Sequence, residues 1–220
     1  IGPTKYMHVT DCERVAIRNL AFDVDQTAWR VGAYAMVERI DPQTGFVGLR
    51  YVKGAAKAPD VVPAAMGLWR WRTVDGKTRA LKNGVELPIK EKKVDPADGS
   101  RWAYKISSAP DHKTWKTLDE VKAKGDLLQV NNAHFGGSGV STWACRHMTY
   151  ENVRFHAVMG MVFLSAGSDY VRVARCRIGL PPGMTVEDRP FAAAADGFHF
   201  HDEHGGHVIF ENNDIALTDD

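Results

Sequence analysis

The sequence lacks long apolar runs. No stretch approaches the roughly 18 consecutive apolar residues that a transmembrane helix needs, and no charged segment followed by an apolar one has the form of a secretory leader. Of the 220 residues, 44% are apolar, which is enough for one sizeable core or two small ones. The composition therefore predicts a globular chain with no membrane partner.

Cysteine is scarce, and its spacing is irregular. Cys12, Cys145 and Cys176 are odd in number, lie far apart in the sequence and lack the spacing of paired metal ligands. They predict neither a disulfide framework nor a zinc site. We interpret them as small core residues.

A concentration of positive charge is also missing. Lys and Arg number 28 against 27 Asp and Glu, which gives a net charge of +1. The basic residues are scattered, apart from the short run 90–93, which Glu91 interrupts and which is typical of a solvated strand end or turn. Because a nucleic-acid-binding surface gathers Lys and Arg on one face, the sequence predicts no nucleic-acid partner.

Four eight-residue segments share one pattern of apolar residues, at their first, third and eighth positions. Three of them carry asparagine at the fifth position, namely Asn19, Asn152 and Asn212. The segments are VAIRNLAF (15–22), MTYENVRF (148–155), VRVARCRI (171–178) and VIFENNDI (208–215). Alternation with period two predicts strands, and the shared asparagine predicts one turn position in stacked coils. The alternative is four unrelated strands with coincidental asparagines.

A second pair of strand-like segments supports stacking. GMVFLS (160–165) starts 11 residues before Val171, and GFHFHD (197–202) starts 11 residues before Val208. The repeat is 23 residues from Met148 to Val171 and 37 from Val171 to Val208, with the surplus of 14 in the loop 179–192. Coils of this length without a helical pattern predict a right-handed parallel β-helix, a solenoid, over residues 1–23 and 136–220.

The segment 24–135 has different sequence patterns, typical of hairpins and a short helix. Strand patterns flank DPQTG (41–45) and the pair Asp75-Gly76, which are hairpin signals. TLDEVKAKGD (117–126) predicts a short helix with a capping box from Thr117 to Glu120 and a stop at Gly125. These patterns predict an inserted antiparallel β-barrel or sandwich-like subdomain. Trp69 and Trp71 lie two residues apart and therefore share one face of a strand. They either anchor the core or form an aromatic surface on which a sugar stacks.

Three acidic residues near the end of the sequence are brought together by the repeat. Counted from the octets, Asp196 and Asp219 occupy equivalent positions on neighbouring coils, with backbones about 4.8 Å apart, and Asp220 lies beside them. When carboxylates are crowded, repulsion between their charges raises the pKa of one, so that one group is protonated while another is ionised. The hydrolysis of a glycosidic bond requires such an acid and base side by side. The alternatives are a calcium site and acids on solvated turns.

The residues around these acids resemble a known family. AADGFHFHDEHGGHVIFENNDIALTDD (194–220) is similar to glycoside hydrolase family 110, the exo-acting α-1,3-galactosidases, in its Ala-Asp-Gly-x-His stretch, Gly-rich turn and final Asp-Asp pair. VAIRNLAFDVD (15–25) and FHAVMGMVFL (155–164) fit the same family. A looser likeness connects the chain with the β-helical polygalacturonases.

The family resemblance implies an activity and a set of roles. Asp196, Asp219 and Asp220 would be the catalytic residues of an inverting hydrolase that releases terminal α-1,3-linked galactose from an oligosaccharide or polysaccharide. Asp219 would be the general acid, and Asp196 and Asp220 would share the role of base toward water. The resemblance also implies that no cofactor is needed and that the protein is secreted or periplasmic.

The histidines of the run HFHDEHGGH (199–207) form a second set of candidates. His199 and His201 alternate along one strand, but the two-His helical motif of a zinc site is missing, so we predict no metal. His199 matches the family's histidine after Asp-Gly, with either hydrogen bonding to a sugar hydroxyl or packing as its role. His134 is a further substrate-binding candidate.

The two ends of the sequence bear on the functional alternatives. The chain begins at Ile1 and stops at Asp220, where the family would continue with further coils. We therefore expect a fragment, a truncated family member or a homo-oligomer that covers the open coil ends. The alternative function is a non-catalytic carbohydrate-binding or structural β-solenoid module whose acids bind calcium or nothing.

Overall fold

The computed structural model describes most of the chain. The described residues are 5–25, 31–52, 69–87, 89–95, 98–106, 112–131, 137–202 and 206–218. They form nineteen strands and one helix. The chain divides into two compact units: a first unit of Ile1–Val31, Phe135–Met184 and Phe191–Asp220, and a second unit of Gly32–His134 and Thr185–Pro190.

Three parallel four-stranded sheets make up the first unit. The first sheet contains, in spatial order, β1 (Lys5–Thr10), β11 (Ser138–Trp143), β14 (Met161–Ala166) and β17 (Phe198–His201). The second sheet contains β2 (Ala16–Arg18), β12 (Arg146–Glu151), β15 (Asp169–Ala174) and β18 (Val208–Glu211). The third sheet contains β3 (Ala21–Phe22), β13 (Arg154–Phe155), β16 (Arg177–Ile178) and β19 (Asp214–Ile215).

The four octets pair as the repeat predicted. Met148 pairs with Val171, and Val171 pairs with Val208. The first octet joins them because Ala16 pairs with Thr149. The prediction that equivalent octet positions lie side by side is confirmed for these strands.

The fifth octet position is a left-handed turn in all four octets. Asn19, Asn152 and Asn212 have φ values of 58°, 52° and 52°, and Arg175 has 52°. Asn152 also donates a hydrogen bond from Nδ2 to Oδ1 of Asn19 over 2.8 Å. Asparagine tolerates this backbone region better than most residues, so the predicted turn role of the shared asparagine is confirmed.

The register of the second strand pair differs from the prediction by two residues. Phe163 pairs with Phe198, whereas equal spacing of the coils would pair it with Phe200. The surplus residues of the longer coil therefore lie partly in the turn before Val208 and not only in the loop 179–192. A shift of two leaves every side chain on the same face, so alternation alone could not distinguish the two registers.

The predicted fold class was wrong. In place of one closed right-handed parallel β-helix, the described strands of the first unit form three separate parallel sheets, and those of the second unit form one antiparallel sheet. The octet repeat identifies which strands are neighbours within a sheet. It carries no information about whether successive sheets close into a single solenoid, because closure depends on contacts between sheets.

Aromatic side chains fill the core of the first unit. Phe155 is fully buried; its ring stacks on Phe22 at 5.0 Å and meets Phe163 edge-on at 5.0 Å. Cys145 and Cys176 are buried in the same core, as predicted for small core residues, while Cys12 is partly buried against it. Burial of these apolar surfaces is the main stabilising contribution to this unit.

The second unit is built on one seven-stranded antiparallel sheet. Its strands, in spatial order, are β7 (Leu81–Leu87), β6 (Trp69–Val74), β10 (Leu127–Asn131), β4 (Gly32–Asp41), β5 (Phe46–Tyr51), β9 (Asp98–Ile106) and β8 (Ile89–Asp95). The helix α1 (His112–Lys124) packs against β4 and β10. The described pairings are antiparallel, as predicted for the inserted segment, and the barrel or sandwich-like form of this subdomain stays a prediction.

The local turn predictions in the second unit were mostly right. Both predicted hairpins are present, since β4 pairs with β5 and β6 pairs with β7 in antiparallel fashion. Gly125 ends the helix with a φ of 68°. The helix begins at His112, however, and Thr117 lies inside it, where its hydroxyl donates to the carbonyl of Lys113. The predicted capping box was therefore wrong.

A buried tyrosine pair makes the second unit sensitive to alkaline pH. Tyr51 and Tyr104 are 4% and 1% exposed, and their hydroxyl oxygens are 2.5 Å apart. Desolvation by burial raises the pKa of both hydroxyls above the usual value. The folded state thus favours neutral tyrosine, and this stabilisation is complete below the unfolded-state pKa of about 10.

We expect the second unit to lose stability as pH rises above about 10 toward the higher folded-state pKa. The Tyr51→Phe variant should lose less stability over that interval, because one of the two ionisable groups is gone. Urea denaturation at neutral and alkaline pH, followed by circular dichroism and tyrosinate absorbance, measures the effect. An identical pH dependence in wild type and variant would contradict the assignment to this pair.

Candidate functional site

Asp196 follows a buried run of small residues and precedes β17. Ala192, Ala193, Ala194 and Ala195 have no exposed surface. The amides of Ala194 and Ala195 donate to the carbonyls of Val158 and Gly160 over 3.0 and 3.2 Å. Small side chains allow this close approach of two backbones.

The backbone of Asp196 is held beside β14. Its carbonyl accepts a hydrogen bond from the amide of Val162 over 2.9 Å, and the next carbonyl, that of Gly197, accepts one from Phe163 over 3.1 Å. This register sets Asp196 alongside Met161. Equal spacing of the coils would instead place Asp196 alongside Met159, two residues earlier, which is the same two-residue shift as that between Phe163 and Phe198.

Asp196 forms a close pair with His199. Nδ1 of His199 lies 2.6 Å from Oδ2 of Asp196, and the two side chains are 40% and 20% exposed. Because a carboxylate accepts and does not donate, Nδ1 carries the proton of this hydrogen bond. Nε2 of the imidazole is then the nitrogen available to a ligand. The pair thus joins a partly buried carboxylate to a more exposed ring.

The last described residues of the chain lie beside the Asp196 segment. The carbonyl of Leu217 accepts hydrogen bonds from Ala192 and Ala193 over 2.9 and 3.2 Å. A Cβ added to Gly197 would lie 3.5 Å from Cγ2 of Thr218. Thr218 precedes Asp219 in the sequence, and Gly197 follows Asp196. Three predicted site residues, Asp219, Asp220 and His134, lie outside the described residues.

Two further side chains extend from the Asp196–His199 pair. The rings of His199 and His201 are 5.6 Å apart between centroids, and His201 meets Trp143 edge-on at 6.1 Å. Trp143 is 40% exposed. Sequence reasoning did not predict Trp143, because no repeat position marks which outward-facing residue is large.

His207, which belongs to the same run 199–207, lies away from this site. His207 lies next to β18 of the second sheet, where its Nδ1 is 2.9 Å from Oδ1 of Asp169. Desolvation by burial opposes ionisation of Asp169, but the hydrogen bonds from His207 and the Tyr170 amide outweigh it and hold the pKa of that carboxyl below its usual value. Within the described ranges, no three His, Cys, Asp or Glu side chains are grouped as a metal site would require.

Comparison with known proteins gives the chain no family. No protein-family model matches it. No characterised protein matches it either. Membership of glycoside hydrolase family 110 therefore stays a prediction, and it is based on the motif residues of this sequence alone. Separately, the described part of the chain contains no helix that is both long and apolar enough to cross a membrane.

Proposed function

We propose that this protein is a glycoside hydrolase that releases terminal α-1,3-linked galactose from glycans by an inverting mechanism. The observation that carries the proposal is the contact between the segments that bear the acids: Thr218 lies against Gly197, so the residue before Asp219 is a neighbour of the residue after Asp196. Two carboxylates supplied by adjacent segments are the basic requirement of glycosidic hydrolysis. The family resemblance of residues 194–220 supplies the substrate class.

The Asp196–His199 pair supports a division of roles. In the proposed mechanism Asp219 donates a proton to the leaving oxygen, and Asp196, with Asp220, accepts a proton from the attacking water. The hydrogen bond from Nδ1 of His199 orients Oδ2 of Asp196, which leaves Oδ1 for water. Nε2 of His199 is then positioned to bond a hydroxyl of the galactose.

Substitution of the acids tests the proposal. With galactosyl-α-1,3-galactose as substrate, Asp196→Asn and Asp219→Asn are each expected to lower kcat by about 10²–10⁴-fold, the usual contribution of general acid–base catalysis. The measurement is galactose release by the 220-residue chain. Asp214→Asn is the matched control, because Asp214 is 69% exposed and pairs with Arg177, and its release rate should equal that of wild type.

The stereochemistry of the product tests the mechanism separately. Inversion at an α-galactoside gives β-galactose as the first product, which proton NMR detects before mutarotation. Initial release of α-galactose would contradict inversion but not hydrolysis. Equal background release by wild type and both acid variants would contradict the enzymatic function itself.

A further inference from the structure

Trp143 and His201 lean toward each other on the first sheet. Trp143 pairs laterally with Ala166 of β14, and Ala166 pairs with His201 of β17. The backbones of the outer two residues are thus separated by two strand spacings, about 9.6 Å, while their ring centroids are only 6.1 Å apart. The small Ala166 between them leaves room for both rings to converge above it.

These two rings continue directly from the Asp196–His199 pair. His199 and His201 are 40% and 41% exposed, and their ring centroids are 5.6 Å apart. Asp196, His199, His201 and Trp143 therefore form a continuous row, which we call the ring row. One end of the ring row is the proposed catalytic carboxylate, and the other is an exposed indole.

The chemistry of the ring row suits a neutral sugar. An indole face attracts the slightly positive C–H groups of a pyranose through its negative π-surface, and imidazole nitrogens hydrogen-bond to hydroxyls. Asp202 accepts a hydrogen bond from His201 over 3.0 Å, and its side chain is 87% exposed. This carboxylate beside the ring row disfavours an acidic sugar.

We infer that Trp143 and His201 bind the sugar that follows the terminal galactose, a neutral hexopyranose, and so determine how well the enzyme recognises the rest of its glycan. The inference rests on the proposed function, because the position of Asp196 defines which end of the ring row holds the scissile bond. It adds a second subsite whose residues take no part in the proton transfers. Trp143 contributes there to the binding of the sugar and not to the chemical step.

Comparison of two substrates tests the subsite. Galactosyl-α-1,3-galactose has a second sugar, and α-galactosyl fluoride has none. For Trp143→Ala we expect the KM of the disaccharide to rise about tenfold with kcat less affected. The ratio of kcat/KM for the disaccharide to that for the fluoride should fall by the same factor. Trp143→Phe, which keeps an aromatic face, should recover part of this loss.

Tyr170→Ala provides the matched control. Tyr170 is 42% exposed but belongs to β15 of the second sheet, outside the ring row, so its removal should leave the substrate ratio unchanged. An unchanged ratio in Trp143→Ala would overturn the subsite. A change of the same size in Tyr170→Ala would overturn it too, because the effect would then follow from any loss of surface aromatic area.

Direct binding separates the subsite from the proposed function. Calorimetric titration with the disaccharide in the Asp196→Asn background, with and without Trp143→Ala, needs no turnover. Binding that Trp143→Ala weakens about tenfold, in a protein whose wild type releases no galactose, would support the subsite while contradicting the hydrolase. Equal binding by both variants, or no measurable binding by either, would overturn it. Trp143-dependent dimerisation without sugar binding, seen by sedimentation, would assign the indole to a second copy of the chain.

Discussion

Replacing Phe155 by alanine is expected to lower the free energy of unfolding of the first unit by about 3–5 kcal/mol. Phe155 has no exposed surface, and its ring contacts Phe22 and Phe163. The core leaves no simple way to fill the gap: a Cβ on Gly139 would already lie 2.8 Å from Cε1 of Phe155, so the backbone is closely packed around this ring. Such a loss is a large fraction of the 5–15 kcal/mol typical of a folded protein.

Urea denaturation followed by circular dichroism measures this loss. Phe210→Ala is the matched control, because Phe210 is an aromatic residue of the same unit that is 49% exposed and contacts the partly buried rings of Phe198 and Phe200. Its removal should cost clearly less than that of Phe155, because about half of the Phe210 side chain is already in contact with water. Equal losses in the two variants would contradict the placement of Phe155 in the core.

Gly160→Ala is expected to destabilise the first unit by about 1–3 kcal/mol and to lower galactose release at the same time. An added Cβ would overlap the carbonyl oxygen of Gly137 and lie 2.7 Å from its carbon, and backbone atoms cannot turn aside as a flexible side chain can. The carbonyl of Gly160 accepts a hydrogen bond from Ala195. Displacement of Gly160 therefore shifts the residue that immediately precedes Asp196.

Gly179→Ala is the control for this substitution. The nearest atom to its added Cβ is Nε of Arg177 at 3.7 Å, an ordinary contact. Thermal unfolding and galactose release should both match wild type within about 0.5 kcal/mol and twofold, as expected for a substitution without a steric conflict. If Gly160→Ala also behaved like wild type, the close approach of Gly160 to Gly137 would be disproved.

The sequence allowed the prediction of strand neighbours but only part of the candidate site. The octets gave the pairing of Met148 with Val171 and of Val171 with Val208, because in-register parallel strands repeat the same alternation. The same alternation could not place Asp196, since a two-residue shift leaves the faces unchanged. The family resemblance singled out Asp196 and His199, and the structure adds their direct hydrogen bond.

Other parts of the site carried no local signal. Trp143 is an ordinary strand residue in the sequence, and it becomes a ligand-binding candidate only because Ala166 separates it from His201 on the neighbouring strands. His199, His201 and His207 are close in the sequence but do not form one cluster. His199 and His201 belong to β17 of the first sheet, whereas His207 directly precedes β18 of the second.

The sequence by itself determined the strands of the octets, their lateral partners, the left-handed asparagine turns and the two hairpins. Each depends on side-chain period or on the backbone preference of a few consecutive residues, which are local properties. The tertiary structure alone decided that the sheets are separate and not one closed solenoid, that Asp196 lies beside Met161, and that its segment contacts Thr218. These features depend on contacts between residues far apart in the chain, which no local pattern encodes.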